Sequence, residues 1–285
     1  MTRILIDRNL LKRIYVYKRC SQVEAARKFR CSQWVISDRL RKYGITPRAK
    51  TCNLVKRRYS YNRDFFKKAS CDMAWVLGLL VSDGFVRKNN ASAYFGLKLS
   101  ERDVDVILKV REMLKYQGPV YKVVSRLEYK GRVKTFSFRL LQINDVEVVK
   151  ELERMGIQQA KTLKEKIPTS IINIRDEKIV SSFIRGVYDG DGSMLFDEKR
   201  KSMCFQIVGA SGLLRGVQDY LRQFCGVRKT KLTQNIAGAN HFALRYRGND
   251  QVVRILDWIY SSSSSSNRMD RKFNKFHDVR RAIGK

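Results

Sequence analysis

Two carboxylates recur at the same place in a repeated pattern. Residues 75–85 read WVLGLLVSDGF, and residues 183–194 read FIRGVYDGDGSM. Each has a Gly inside a short apolar run and an Asp-Gly pair shortly after it, at the same spacing: Gly78 with Asp83 and Gly84, Gly186 with Asp191 and Gly192. The stretch of chain between the two aspartates is the length of one small domain. A duplicated unit that ends an apolar helix on an acid can bring two acids together across a pseudo-twofold axis. Two such acids can hold a hard divalent cation, which keeps the rest of its oxygen shell for water and phosphate. That is the equipment of phosphodiester hydrolysis, in which metal stabilises the attacking and leaving oxygens of an in-line displacement. Gly84 and Gly192, which allow tight turns directly after the acids, are grouped with Asp83 and Asp191 as metal-site residues.

Further candidates keep matching offsets from the acids. Lys98 follows Asp83 at the same offset as Gln206 follows Asp191. Lys161 and Lys272 follow Asp83 and Asp191 at nearly equal, longer offsets. A lysine there can stabilise transition-state charge or position water. Lys164 and Lys166 compete with Lys161 for this role, and Lys275 competes with Lys272. Asp189 falls off the repeat and is read as structural. The segment GVYDGDGS lacks the spaced ligands and distal Glu of a calcium loop. The serine run 261–266 is expected to be a flexible loop.

The elements that must position these groups repeat as well. After each acid comes a strand and then a helix: SAYFGLKLSERDVDVILKVREML in the first copy, KSMCFQIVGASGLLRGVQDYLRQF in the second. Each copy then has an alternating segment, KTFSFRL (134–140) and HFALRYR (241–247). Period-two alternation predicts half-buried strands with one polar face. On that reading Arg139 belongs to the polar face of the first, and Arg245 and Arg247 to the polar face of the second. Such faces suit contacts to bases and phosphates.

Charge points to the partner. The 285-residue chain carries 59 Lys and Arg against 27 Asp and Glu, a formal net charge of +32. Such an excess calls for a polyanion, nucleic acid before an anionic membrane. No apolar run long enough to span a bilayer and no signal-peptide core is present, and the basic residues are not gathered on one amphipathic helix. A membrane partner is therefore not expected, and an intracellular location, cytoplasm or nucleoid, is. Hydrophobic residues make up 44% of the chain, enough for a packed core. With no Cys-x-x-Cys pair and two histidines, a structural zinc site is not expected.

The segment 1–70 carries half the net charge in a quarter of the chain, with Lys and Arg far outnumbering Asp and Glu. Residues 9–19 have helical apolar spacing. Ser21 and Glu24 form a capping-box pattern, and Ser32 opens a second helix that stops at Tyr43-Gly44. Ala26, Phe29, Ile36 and Leu40 match the packing positions of a helix-turn-helix, with Arg30 at the turn position where Gly is usual. Gln33, Trp34, Ser37, Arg39 and Arg41 are then the candidates to meet DNA. Residues 47–70 read as a basic linker, either tracking phosphates or acting as a solvated tether.

The segments GLLVSDG (78–84) and GVYDGDG (186–192) resemble the signature of the LAGLIDADG homing endonucleases. The second copy keeps the pattern. The first has Val81 where the signature has Asp, at a position that in the family serves the helix interface and not the metal. The likeness covers roughly residues 60–285, including the GIQQAKT run and the RKF run. It implies an α+β fold of two pseudo-symmetric αββαββα units forming a saddle-shaped antiparallel sheet over the DNA major groove, preceded by a small all-α helix-turn-helix domain. The expected boundaries are 1–46 for the helix-turn-helix, 47–70 for the linker, 71–170 for the first unit and 171–285 for the second. By resemblance Asp83 and Asp191 bind Mg²⁺ or Mn²⁺, Lys98 and Gln206 help order metal and water, and Lys161 and Lys272 are the active-site lysines. The activity implied is site-specific cleavage of both strands of DNA by a monomer. The alternatives are an RNA-binding intron maturase, with intron RNA as partner, and a DNA-binding regulator on the same scaffold.

Overall fold

A computed structural model of the chain describes residues 6–18, 20–47, 59–89, 92–129, 132–159, 164–235, 237 and 239–284. The chain divides into two compact units, Met1–Lys56 and Arg57–Lys285.

The smaller unit is helical. Helix α1 (Arg8–Lys12) runs on into a π-helical turn (Arg13–Tyr17), followed by α2 (Gln22–Lys28) and α3 (Gln33–Lys42). Asp7 caps α1 by accepting from Leu10 N at 2.7 Å. Ser21 and Glu24 make a reciprocal capping box on α2, at 3.1 and 2.8 Å. Leu11, Tyr15, Ala25, Ala26, Ile36 and Leu40 form the core that these caps hold in register. Arg30, between α2 and α3, takes the left-handed conformation with φ 52°. A side chain there costs about 1 kcal/mol or more that a Gly would not.

The larger unit contains the same chain of elements twice. The first copy is α4 (Cys71–Ser82), β1 (Gly84–Lys88), β2 (Ala93–Ser100), α5 (Val104–Met113), β3 (Tyr121–Tyr129), β4 (Arg132–Asn144) and α6 (Val146–Arg154). After the short α7 (Thr169–Ile172) the second copy runs α8 (Glu177–Asp191), β5 (Gly192–Asp197), β6 (Ser202–Gly209), α9 (Ser211–Cys225), β7 (Thr233–Gln234), β8 (Phe242–Arg247) and α10 (Asn249–Tyr260), with α11 (Asp270–Ala282) added. Each copy is thus αββαββα. The sheets are antiparallel, with orders β1-β2-β4-β3 and β5-β6-β8-β7. Alternation buries Phe95, Leu97, Leu99, Leu141 and Ile143 on one face of the first sheet, and Phe205, Ile207, Leu244 and Tyr246 on one face of the second, in a core shared with the helices.

The stretch 59–70 is not an extended tether. Tyr61 donates its hydroxyl to Asp145, and Arg63 Nε donates to the same carboxylate at 3.0 Å, while Phe66 is buried in the core. The remainder of the expected linker, 48–58, lies outside the described residues.

A candidate metal and nucleic-acid site

Helix α4 is buried from Met73 to Val81, and α8 from Val180 to Asp189, because they pack against each other at the centre of the unit. Glycine makes this contact possible. A Cβ on Gly78 would stand 2.3 Å from the Phe183 carbonyl oxygen, and one on Gly186 would stand 2.2 Å from that of Trp75. With no side chain on either, the two backbones touch.

The helix ends are brought together as a result. Asp83 follows the last residue of α4 and donates its N–H to Leu79 O at 3.0 Å. A Cβ on Gly190 would come 2.0 Å from Ser82 Oγ and 2.8 Å from Asp83 Oδ2, so the Asp83 carboxylate lies against the residue that precedes Asp191. Both acids are half-buried, neither closed off behind apolar packing. Asp83 opens into a groove of about 320 Å³ whose other walls include Ser100, Asp103, Arg271, Lys272 and Lys275. The carboxylates of Asp83 and Asp191 are hard oxygen donors of the kind Mg²⁺ or Mn²⁺ takes, and such a cation needs few protein carboxylates and leaves places for phosphate and water. Among the described residues no group of three or more His, Cys, Asp or Glu gathers as a metal cluster.

The two glycines after the acids have a packing role. A Cβ on Gly84 would meet Leu80 Cα at 2.5 Å, and one on Gly192 would meet Tyr188 Cδ2 at 2.2 Å. The Gly192 carbonyl is also engaged: it accepts from Lys272 Nζ at 2.6 Å. An ammonium thus already sits at that oxygen, and the expected role of Gly192 as a metal ligand rests on the resemblance alone.

Lys272 itself closes the C-terminal end of α8. Besides Gly192 its ammonium reaches the carbonyls of Tyr188 and Asp189, both at 2.7 Å, and of Gly190 at 3.3 Å. These are the acceptors that a helix end leaves unpaired, and the negative end of the helix dipole favours a cation there. Burial pushes its pKa down to about 8, against the pull of Asp189 and Asp83. Lys275 donates to Met194 O at 2.9 Å. Lys164 and Lys166 line a separate groove of about 590 Å³ that reaches Val81. Lys161 lies outside the described residues.

Equal offsets in sequence do not give equal places in the sheets. Gly84 pairs with Leu97, so Lys98 is the next residue toward Asp83 on the opposite strand. Gly192 pairs with Ile207, which gives that place to Val208, while Gln206 faces Ser193 one step further out. Lys98 Nζ rests 4.2 Å from the centre of the Phe138 ring. Gln206 Oε1 accepts from Arg245 Nε at 2.6 Å.

Strand pairing also decides which side chains share a face. In the second sheet Gln206 pairs with Arg245 and Cys204 with Arg247, so both arginines stand on the Gln206 side. In the first sheet Lys98 pairs with Leu140, whereas Arg139 pairs with Leu99 on the helix-covered side. Arg139 there binds Glu101 through Nη2 at 2.6 Å. The expected DNA-facing role of Arg139 is corrected accordingly: the apolar set Phe136, Phe138 and Leu140 occupies the open face. In the smaller unit Gln33 and Arg41 are exposed, Ser37 and Arg39 are half-buried, and Trp34 is 74% exposed.

Three further groups were not legible as parts of the site. Asp189 is buried, accepting from Trp75 Nε1 at 2.8 Å and Met269 N at 3.0 Å, and burial holds its carboxyl above the usual carboxylate range. Arg185 is fully buried and donates to the carbonyls of Asn267 and Ile259, each at 2.9 Å. The serine run is drawn into this network: Ser262 bonds Ser181 and Ser182 at 3.0 and 3.2 Å, and Ser264 N donates to Asn267 Oδ1 at 2.9 Å. It is a tied turn, not the free loop expected from its composition.

Two glycine-apposed helices, each leading into an αββαββα unit, thus organise the larger unit. No family model matches the sequence. Solved structures similar to it include the homing endonuclease I-WcaI bound to its DNA recognition sequence, 12% identical over 80% of this chain and 94% of that one, with TM-score 0.47. Another is the LAGLIDADG homing endonuclease I-GzeII in complex with a DNA target, 10% identical over 76% and 90%, with TM-score 0.48. A third is the N-terminal LAGLIDADG domain of DUF199/WhiA, 14% identical over 75% and 89%, with TM-score 0.44. Likeness at this level says nothing of activity. Among the described residues no helix is long and apolar enough to cross a membrane.

Proposed function

We propose that the chain is a LAGLIDADG homing endonuclease: a monomeric, metal-dependent enzyme that cuts both strands of a specific double-stranded DNA site. The carrying observation is the apposition of α4 and α8 through Gly78 and Gly186, which sets the Asp83 carboxylate against Gly190, next to Asp191. Asp83 and Asp191 would hold Mg²⁺ or Mn²⁺. When bound, the metal supplies charge stabilisation to the scissile phosphate and its attacking water. The protein's own residues do the rest. The Lys272 clamp holds the end of α8, and with it Asp191, in place. Lys98 brings a cation to the Asp83 side of the first hairpin, and Gln206 with Arg245 presents a polar pair on the open face of the second sheet. The net charge of +32 draws the phosphate backbone to these faces. The helix-turn-helix unit, through Gln33, Trp34, Ser37, Arg39 and Arg41, adds a second set of DNA contacts.

One observation favours the second reading, a maturase or regulator that binds nucleic acid without cutting it. The candidate lysine of the second copy is committed to four carbonyls, and Val208 takes the place that Lys98 holds in the first. Incubating the chain with DNA spanning its gene's empty insertion site, with Mg²⁺ and with chelator, separates the two readings. Metal-dependent double-strand cleavage, lost in Asp83→Asn and Asp191→Asn with DNA affinity kept, is the expected result. Tight binding with no cleavage, or intron RNA bound more tightly than DNA, would establish the second reading.

A further inference from the structure

The two sheets differ most in their outer strands. β2 pairs with β4 from Phe138 to Asn144, but β3 follows β4 from Leu140 out to Arg132, so beyond Phe138 the two strands continue as an arm of their own. In the second sheet β7 is a stub, Thr233–Gln234, and no such arm exists among the described residues. On the arm face continuous with Lys98 lie Leu140, Phe138 and Phe136 of β4, and from β3 Tyr121 opposite Leu140, Val123 opposite Phe138, Ser125 opposite Phe136 and Leu127 one pair further out. Three of these are open to solvent: Tyr121 at 48%, Leu127 at 58% and Phe136 at 43%. Cations rim the strip, Lys98 at one end and Lys134, paired with Leu127, at the other.

An exposed apolar strip between lysines, on a chain of net charge +32, matches one surface in particular. The floor of the DNA major groove is apolar where thymine C5-methyl groups project, and phosphates flank it on both sides. Arg245 and Arg247, on the corresponding face of the second sheet, carry the guanidinium group that pairs with guanine O6 and N7. We infer that the β3–β4 arm reads a thymine-bearing flank of the target by methyl contact, and that β8 reads guanine in the opposite half-site. This rests on the proposal that the open sheet faces bind duplex DNA, and adds to it which bases each half requires. β3 is the edge strand furthest in order from β1, so the thymines belong to the outer base pairs of the half-site served by the Asp83 copy.

The test is selection of a random duplex library by the full-length chain in chelator, followed by sequencing and by binding to the selected duplex with single thymines replaced by deoxyuridine. The expected outcome is an asymmetric site, thymine-rich at one outer flank and guanine-bearing in the other half. Each methyl removed from the thymine flank should weaken binding about fourfold, the value of one buried carbon. The exposed variants Phe136→Ser and Leu127→Ser should erase that uracil effect while leaving the guanine preference intact. A selected site with G·C pairs at both flanks, or uracil tolerated without loss, would overturn the inference while leaving DNA recognition in place. No enriched sequence, together with self-association that Phe136→Ser abolishes, would overturn both and make the arm a contact between copies of the chain.

Discussion

Trp75 donates its indole N–H to Asp189 Oδ2 at 2.8 Å, joining α4, about two turns before Asp83, to the last turn of α8. The same oxygen accepts from Met269 N at 3.0 Å, and the other, Oδ1, is buried with no hydrogen-bond partner among the described residues. An unpaired buried carboxylate oxygen is costly, which is why burial raises the pKa of this group. Asp189→Asn keeps the acceptor that Trp75 and Met269 use and removes the buried charge. It is expected to leave stability within about 1 kcal/mol of wild type, whereas Asp189→Leu, which orphans both donors, should cost about 2–4 kcal/mol by denaturant titration. Equal losses in the two variants would refute this account of the interface.

Gly186 is the tightest approach to backbone in that interface. A methyl there must displace the Trp75 carbonyl, which belongs to a buried helix backbone and has nowhere to go. Gly186→Ala is therefore expected to cost about 3 kcal/mol or more, at the upper end of overpacking effects. Gly212→Ala, whose added methyl would come no closer than 3.3 Å to the side chain of Lys166, is the control and should be near neutral. Thermal unfolding of both variants checks the difference.

Arg30→Gly should stabilise the small helical unit. The wild-type residue holds φ 52°, and Gly reaches that region without the Cβ clash. A gain of about 1 kcal/mol is expected, read as a higher midpoint for the isolated segment 1–47 if it folds alone, or for the first transition of the full chain. A fall in stability would mean that the Arg30 side chain does more than occupy the turn.

Much of the larger unit was legible because its signals are local. A Gly within an apolar run followed by Asp-Gly marks a helix that packs closely and then stops, and the same pattern twice marks the duplication. What was not legible depends on pairing between distant segments. Alternation in KTFSFRL separates Phe136, Phe138 and Leu140 from Arg139, but only the pairing of Leu140 with Lys98 says which set faces outward. Sequence offsets likewise placed Lys98 and Gln206 together, whereas the hairpin registers differ by a pleat. The offset from Asp191 makes Lys272 a candidate, whereas its four carbonyl contacts follow from the path of α11, which no local pattern encodes. Serine composition suggested freedom at 261–266, and the buried Arg185, far earlier in the chain, removes it by reaching Ser262.

Cys225 is expected to be chemically silent at a pH where other thiols react. It is 7% exposed, and burial pushes its pKa up to about 12 from an ordinary value near 9. Its raised folded pKa means that the group favours the folded state below pH 9 and that this contribution is lost as pH rises from about 9 through about 12. Alkylation at pH 9 followed by peptide mass spectrometry should label the half-exposed Cys71 and Cys204 in the native protein, and Cys225 only after denaturation. Rapid native labelling of Cys225 would show that α9 opens readily near its C-terminal end.

Arg139 and Arg245 make the sharpest contrast between the two sheets. Both occupy alternating strands that the sequence presents as equivalent, but Arg139 pairs with Leu99 and binds Glu101, whereas Arg245 stands beside Gln206 on the open face. If the open faces read DNA, the two should separate in binding. Arg245→Gln is expected to weaken target affinity about 10- to 100-fold and to relax the base preference beneath it, the cost of one lost bidentate contact. Arg139→Gln should leave affinity and preference unchanged and cost about 1 kcal/mol or less of stability, the worth of a partly exposed ion pair. Fluorescence anisotropy on the selected duplex measures both. Should Arg139→Gln weaken binding as much as Arg245→Gln, strand register would not be what decides which face of the first sheet meets the groove.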